Sequence, residues 1–205
     1  MYPPKYFQNS DPEPLFRLIR ANPLAALVTG GSAGPRVDHV PMVLDVDERV
    51  LRGHIARINP LAQCGDSVPA LAVFSGADSY ISPAWYPGKA QHGRVVPTWN
   101  YTAVHVGGSL RLVDDPDWLM AQLRALTVQQ ESDSPNPWAV GDAPAAYIEK
   151  LRAAIVGVEL PLETLEGKWK VSQNQNAETR AAVVRGLRER SSGDDLAMAA
   201  LVEAG

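Results

Sequence analysis

The chain has 205 residues, of which 45% are hydrophobic and 20% are charged, and its formal net charge is −4. These values fit one globular domain and exclude a disordered chain, and the acidic balance gives no bulk indication of DNA binding. No window approaches the roughly 18 apolar residues that span a bilayer, no apolar leader follows Met1, and a single cysteine, Cys64, excludes an internal disulfide framework. We therefore expect a cytoplasmic protein.

The first predicted element is a helix, followed by a series of short strands. The segment from Ser10 to Glu13 resembles a capping box with proline in the first turn, and Asn22-Pro23 ends the helix. From Leu24 onward the hydrophobic period becomes that of strands. The predicted strands cover residues 24–29, 37–44, 50–57, 69–75, 80–83, 99–106 and 109–113. We expect residues 76–79 to form a turn and Gly107-Gly108 to close a hairpin.

The second half of the chain is predicted to be mainly helical. Helices are expected to begin at Asp115-Pro116 and at Asp142-Ala143-Pro144, and to cover residues 176–190 and 194–202, with one strand at residues 155–160. The pattern as a whole predicts a mainly β fold with flanking helices (α+β), whose antiparallel strands form a barrel or a sandwich.

Two segments carry groups suited to ligand binding, one to a flat ring and the other to a phosphate. The aromatic and polar residues between Tyr80 and His105 could line a groove for a flat ring, or simply close one end of a barrel. After the strand at residues 50–57, Arg57 offers a fork of donors and Asn59 a helix N-cap. This arrangement can hold a phosphate, or it can be only a structural cap.

A third segment, residues 166–174, is rich in lysine. If it is extended, Lys168, Lys170 and Ser172 lie on one side because side chains repeat every second residue. Such a face suits an anionic ligand, although it also suits plain exposure to solvent. The four histidines show no metal-ligand spacing, so no metal site is predicted, and the chain contains no nucleophile elbow, P-loop or dinucleotide fingerprint.

Several of these segments together resemble the PaiB-type family of FMN-binding negative transcriptional regulators. The matching motifs, in chain order over almost the whole sequence, are MYPPKYF, LRGHIARINP, YISPAWY, HGRVVPTWNY and GKWKVSQN. The resemblance implies an antiparallel split β-barrel of the FMN-binding type with a helical C-terminal extension. Residues 1–175 are then expected to form the split-barrel domain, and residues 176–205 a helical extension packed on the same domain.

The resemblance also implies a cofactor, a partner and a set of site residues. We expect a homodimer with FMN at the subunit interface. The flavin phosphate is expected beside the strand end and helix start, and the ring beside the preceding strand. The residues implied are His54, Ile55, Ala56, Arg57 and Asn59 for the phosphate, His39 and Val40 beside the ring, and Trp99, Asn100, Lys168, Lys170, Ser172 and Gln173 to complete the pocket.

Three functions remain open on the sequence. The first is an FMN-binding regulator, for which DNA is a possible partner although no DNA-reading surface is evident. The second is a flavin-dependent oxidoreductase similar to pyridoxamine-phosphate oxidases and flavin reductases. The third is a haem-binding protein that uses the histidines. No catalytic residue is assigned, since membership of a fold alone does not decide function.

Overall fold

The computed structural model describes residues 1–2, 4–31, 34–65 and 67–205, and within them the chain forms nine strands and six α-helices. Pro3 of the N-terminal motif lies outside the described residues. The strands are β1 (Gln8–Asn9), β2 (Leu24–Thr29), β3 (Arg36–Pro41), β4 (Val43–Asp45), β5 (Val50–Ala56), β6 (Val68–Ile81), β7 (Thr98–Val113), β8 (Ile155–Pro161) and β9 (Thr164–Lys170). The helices are α1 (Pro12–Ala21), α2 (Gly88–His92), α3 (Pro116–Glu131), α4 (Ala145–Arg152), α5 (Ala177–Arg190) and α6 (Asp195–Ala204). None of the described helices is long and apolar enough to cross a membrane.

The chain divides into two compact units, which we describe separately. Unit 1 contains residues 1–18, 75–104 and 166–205, and unit 2 contains residues 19–74 and 105–165. The long strands β6 and β7 contribute residues to both units. The domain boundary expected at residue 175 stays a prediction.

Unit 2 is built on an antiparallel sheet. The hydrogen-bonded order runs β3-β2-β6-β7-β8-β5-β4, so the described path ends at β3 and β4 without closing. Its core includes the fully buried side chains of Leu27, Leu51, Phe74 and Leu160. Asp115 caps α3 by accepting hydrogen bonds from the backbone N–H groups that begin the helix, as the sequence predicted.

Unit 1 joins a smaller set of strands to the two C-terminal helices. Strand β1 pairs antiparallel with β9, which also pairs with β7. The helices α5 and α6 bury Leu187 and Met198 in a cluster that includes Ile81 and Val171. Gly186 lets α5 approach closely, because a Cβ there would lie 2.2 Å from the indole of Trp85. The expected helices at residues 176–190 and 194–202 are therefore present.

Two predicted turns are wrong, since β6 and β7 are each one continuous strand. The glycines that suggested turns provide clearance instead. A Cβ on Gly108 would lie 2.3 Å from the carbonyl oxygen of Pro161, and one on Gly76 would lie 2.3 Å from Thr102 Oγ1. Glycine inside a strand thus marks a close approach of neighbouring atoms. A further difference is that residues 37–44, predicted as one strand, form β3 and β4 with a break after Pro41.

Candidate functional site

The residues expected beside the flavin ring and phosphate lie on two adjacent elements of unit 2. His39 and Val40 belong to β3, and His54, Ile55 and Ala56 belong to β5. Val40 and Ile55 are buried, whereas His39 is exposed. Strand β3 approaches β5 at Gly53, where a Cβ would lie 2.9 Å from the carbonyl oxygen of Pro41. The structure therefore brings this group of predicted residues together.

The guanidinium of Arg57 is already held by several acceptors. Its Nη1 and Nη2 atoms donate to the two carboxylate oxygens of Asp114 at 2.8 and 2.6 Å. Nε donates to the carbonyl of Ala153 at 3.1 Å, and Nη2 also donates to the carbonyl of Ile155 at 2.9 Å. Hydrogen bonding to Arg57 holds the pKa of Asp114 below its usual value. Because an arginine has five N–H donors, one is left for a ligand while Asp114 stays in place.

Asn59 acts as the predicted N-cap. Its Oδ1 accepts the backbone N–H of Leu61 at 2.8 Å, at the start of the 3₁₀ turn Pro60–Gln63. Its Nδ2 donates to Asp38 Oδ1 at 2.9 Å, and Arg36 pairs with the same carboxylate. Both sides of the amide are thus engaged within unit 2. A direct phosphate contact by Arg57 or Asn59 remains a prediction. Arg57 has one N–H group left for it, whereas the Asn59 amide is engaged on both sides.

His54 has a partner that the sequence did not indicate. Its Nδ1 lies 2.8 Å from Gln122 Oε1, on α3. An amide oxygen only accepts, so Nδ1 is the donor in this contact and Nε2 faces away from Gln122 Oε1. Gln122 is buried, and its Nε2 has no hydrogen-bond partner among the described residues. No local motif marks Gln122, because it lies 68 residues from His54.

Gln122 also lines the larger of two cavities relevant to ligand binding. This cavity, of 650 Å³, lies in unit 2 against β4 and α3. Its lining includes Arg20 and Arg52 as well as Asp45 and Asp47. Arg52 is paired with Asp45 at 2.6 Å. With both signs of charge present, the lining does not select for an anion or a cation.

The second group of predicted residues lies in unit 1. Lys168 and Lys170 stand two positions apart on β9, as the sequence predicted for an extended segment. Lys168 Nζ donates to the carbonyl oxygen of Tyr2 at 3.1 Å and lies 5.2 Å from the centre of the Tyr101 ring. Lys170 Nζ donates to Thr98 Oγ1. Desolvation lowers the pKa of Lys170; the nearby Tyr101 opposes this shift, and Lys168 adds a smaller lowering.

Asn100 and Ser172 form a buried polar pair beside Lys170. Asn100 is 1% exposed, and its Nδ2 donates to Ser172 Oγ at 2.9 Å. Asn100 Oδ1 is buried and has no hydrogen-bond partner among the described residues. Ser172 lies beyond the end of β9 with φ of +63°, a left-handed conformation that is strained for serine. A buried acceptor without a hydrogen bond lowers the stability of the folded protein by about 1–3 kcal/mol. A ligand that donates a hydrogen bond to Asn100 Oδ1 would remove this cost.

These side chains line a cavity of 310 Å³ in unit 1. The described lining contains two cations and no carboxylate. The residues are Phe7, Tyr86, Arg94, Val95, Val96, Pro97, Thr98, Asn100, Lys170, Ser172, Asn174 and Gln175. Arg94, Thr98 and Asn174 were not predicted as site residues, although each lies in a segment that the sequence marked as rich in polar groups.

Two predicted site residues have structural partners in unit 1. Gln173 accepts the backbone N–H of Val171 at 2.8 Å and donates to the carbonyl oxygens of Tyr6 and Trp169. Trp99 donates from Nε1 to Asp78 at 2.7 Å, while its side chain stays 51% exposed. The amide of Gln173 is therefore fully engaged, whereas the exposed ring of Trp99 remains available to a ligand or a partner.

Among the described residues, no group of three or more histidine, cysteine, aspartate or glutamate side chains could hold a metal ion.

The sequence matches the model of a known protein family. The family described as “Putative FMN-binding domain” matches residues 1–164. The chain belongs to this family. The cofactor of this family is FMN, as the sequence resemblance predicted.

Relatives extend the match beyond residue 164. The chain is 29% identical over 209 residues to Protease synthase and sporulation protein PAI 2 of Bacillus subtilis, covering 99% of this chain and 97% of that protein. It is 34% identical over 212 residues to an uncharacterised protein of Emericella nidulans, covering 84% of each. The resemblance to PaiB-type proteins is therefore confirmed.

Solved structures confirm the fold. The FAD and haem binding protein from Mycobacterium smegmatis matches 80% of this chain and 73% of its own with a TM-score of 0.62 at 17% identity. The mainly antiparallel, open sheet with flanking helices is thus the split barrel that the sequence resemblance predicted.

The cavity of unit 1 fits part of FMN. Lys170 and Arg94 can bind the phosphate, and the unpaired Asn100 Oδ1 can accept a hydrogen bond from a hydroxyl or an N–H group. In unit 2, His54 and the exposed His39 offer ring and hydrogen-bonding groups. The residues present are therefore compatible with the cofactor of the family.

Proposed function

We propose that this protein is a homodimeric, FMN-binding regulator that acts in the cytoplasm, and that FMN binds at the subunit interface. Flavin binding rests on the family assignment together with the cationic, hydrogen-bonding cavity of unit 1. The regulatory role rests on the relative over nearly the whole chain, whose name refers to protease synthesis and sporulation. When bound, FMN supplies one-electron and two-electron redox chemistry, so a regulator of this kind can respond to redox state.

We propose flavin contacts in each of the two units, and each set is given by itself. On unit 2 the proposed contacts are His39, Val40, His54, Ile55, Ala56, Arg57 and Asn59, and on unit 1 they are Trp99, Asn100, Lys168, Lys170, Ser172 and Gln173. Gln122, which is outside this set, orients the His54 ring through the 2.8 Å hydrogen bond to Nδ1. Asp114 and two backbone carbonyls fix the direction of the Arg57 side chain.

Exposed apolar side chains next to the unit 2 residues favour a covering partner. Ile58 lies between Arg57 and Asn59 and is 92% exposed. Leu24 and Val37, on β2 and β3, are 57% and 53% exposed. Exposed apolar groups of this kind can contribute to an interaction surface. A second copy of the chain would cover them and place the cofactor at the interface.

The basic test is the visible absorption spectrum of purified protein, with mass analysis of the bound molecule and titration of apoprotein with FMN. A flavin spectrum and saturable binding are expected, and failure to bind added FMN would refute the proposal. Replacing Arg57 with alanine is expected to weaken FMN by about 1.5–3 kcal/mol if the guanidinium contacts the phosphate. Unchanged affinity would remove Arg57 from the site.

An enzymatic role is the second candidate, and it is favoured by the 650 Å³ cavity of unit 2, which Gln122 lines and which offers space for a small ligand near His54. NAD(P)H-dependent bleaching of bound flavin, followed by reoxidation with an added acceptor, would favour an oxidoreductase. Specific DNA binding that weakens steeply with salt would favour the regulator, because protein–phosphate contacts release counterions.

A further inference from the structure

We propose that the unit 2 cavity lined by Gln122 is a binding site, separate from the flavin, for an uncharged small molecule that carries a carbonyl acceptor on an apolar body. None of the residues proposed as flavin contacts belongs to its described lining. The inference goes beyond the proposed function, because this site can be filled with or without flavin. It rests on an unpaired buried donor, on charge and on the apolar part of the lining.

The side-chain amide of Gln122 is the feature that points to a ligand. The residue is 3% exposed, and its Oε1 is held by His54 Nδ1 at 2.8 Å, which fixes the orientation of the amide. Nε2 of the same amide is buried and has no hydrogen-bond partner among the described residues. A buried N–H group without an acceptor destabilises the folded protein. Because Gln122 lines the cavity, a ligand there can supply the missing acceptor.

The charges of the lining favour a ligand without net charge. The described lining contains two arginines and two aspartates, so its formal charges cancel. Arg52 donates to Asp45 at 2.6 Å and to Glu159 at 3.0 Å. An anion beside Arg52 would be repelled by these two carboxylates, and a cation would be repelled by the guanidinium between them. A neutral carbonyl accepts the N–H of Gln122 without either repulsion.

Apolar side chains of α3 form another part of the lining. Trp118, Ala121 and Ala125 lie on one face of the helix, because residues three or four positions apart are neighbours there. The ring of Trp118 packs against β8, where a Cβ on Gly157 would lie 2.3 Å from its Cζ3. The cavity volume of 650 Å³ falls within the range of about 300–1,000 Å³ that is typical of small-molecule sites. An apolar ring can therefore lie along α3 with its acceptor at Gln122.

The test titrates the full chain with acetophenone, which has a ring and a neutral carbonyl, and with toluene, which has the ring alone. Binding is followed by NMR on isotope-labelled protein, in which the side-chain amide signal of Gln122 is identified by its loss in Gln122→Met. Acetophenone is expected to bind about tenfold more tightly than toluene and to shift this signal. Benzoate, an anion, and phenylalanine, a zwitterion, are expected to bind at least about fivefold more weakly than acetophenone.

Variants separate the hydrogen bond from the space. Gln122→Glu keeps an oxygen acceptor for His54 but removes the N–H donor, and Gln122→Met removes both groups at similar size. Each should abolish the preference for acetophenone while toluene binding changes by less than about twofold. Ala125→Leu narrows the cavity and should weaken both probes about tenfold or more. The matched control Ala146→Leu, at an exposed alanine of α4 outside the described lining, should change neither affinity.

The inference is wrong if acetophenone binds no better than toluene, if neither probe binds, or if Ala125→Leu leaves both affinities unchanged. Tighter binding of benzoate or phenylalanine would overturn the uncharged ligand class. The same affinities are expected on FMN-loaded protein, and loss of acetophenone binding there would make the cavity part of the flavin site.

The outcomes also separate this inference from the proposed function. If the protein binds no flavin but binds acetophenone through Gln122, the proposed function fails and the cavity site stands. Urea unfolding checks that each variant retains the fold. If the Gln122 variants do not fold, Ala125→Leu and the comparison of acetophenone with toluene on the wild type still decide the question.

Discussion

Asp195 at the start of α6 provides the sharpest test of the electrostatics in unit 1. Its carboxylate accepts hydrogen bonds from Arg190 Nε at 2.7 Å, Ser79 Oγ at 2.9 Å and the backbone N–H of Ser192 at 3.0 Å. The side chain is 2% exposed. The hydrogen bond from Arg190 is the largest cause that lowers the pKa of Asp195, to about 2 from an ordinary value of 3.8. We therefore expect Asp195→Asn to destabilise the protein in a pH-dependent way.

The magnitude follows from proton linkage. A pKa that is lower in the folded protein favours folding wherever the unfolded chain binds more protons. A drop of nearly two pKa units corresponds to about 2 kcal/mol at neutral pH. This contribution is fully present above about pH 5, falls by about half near pH 3 and is mostly lost near pH 2. Asp195→Asn leaves Arg190 without its ionised partner, so at pH 7 we expect a loss of about 2–3 kcal/mol.

The assay is urea unfolding of the wild type and Asp195→Asn at pH 7 and at pH 3. The difference in unfolding free energy between the two proteins should shrink at pH 3 by about 1 kcal/mol. Asp133→Asn, in an exposed loop after α3, serves as the control and should change the stability little at either pH. A difference that stays constant between pH 7 and pH 3 would refute the reasoning, because it would mean that the ionised form of Asp195 is not the stabilising one.

Three further outcomes are expected. In urea unfolding, Gly186→Ala should lower the unfolding free energy by about 1–2 kcal/mol, because the clash of the new Cβ with Trp85 exceeds the gain in helix propensity. A variant that is more stable than the wild type would contradict this packing. Glu159→Gln should lower the unfolding free energy by about 2–3 kcal/mol in the same assay, since the buried carboxylate pairs with Arg52 and Arg111. An unchanged unfolding free energy would mean that these ion pairs do not stabilise the fold. FMN should strengthen the dimer in sedimentation experiments, and equal dissociation constants with and without FMN would exclude an interfacial cofactor.

The sequence predicted those parts of the fold that depend on neighbouring residues. Asn59 and Asp115 cap helical turns as expected, because an N-cap side chain bonds to backbone groups two or three residues away. The motifs also identified residues that gather at both groups of the candidate site. These features are local, so a single sequence contains the information needed to find them.

The features that the sequence did not predict depend on distant partners. The ion pair between Arg57 and Asp114 joins residues 57 positions apart, and the hydrogen bond between His54 and Gln122 joins residues 68 positions apart. Nothing near either residue indicates such pairing. The hydrogen bond from Asn100 Nδ2 to Ser172 Oγ likewise joins residues 72 positions apart. Local patterns therefore identified candidate residues, but the availability of their donors and acceptors appeared only once the chain was folded.

The clearance glycines of the long strands also constrain how the family can change. A glycine that serves a turn can be exchanged for asparagine, which tolerates left-handed backbone. Gly108 has no such substitute, because even the single carbon of alanine would collide with the main chain at Pro161. A substitution at Gly108 is tolerated only if the backbone at Pro161 also moves. Relatives that keep this packing are therefore expected to keep the glycine, whatever ligand they bind.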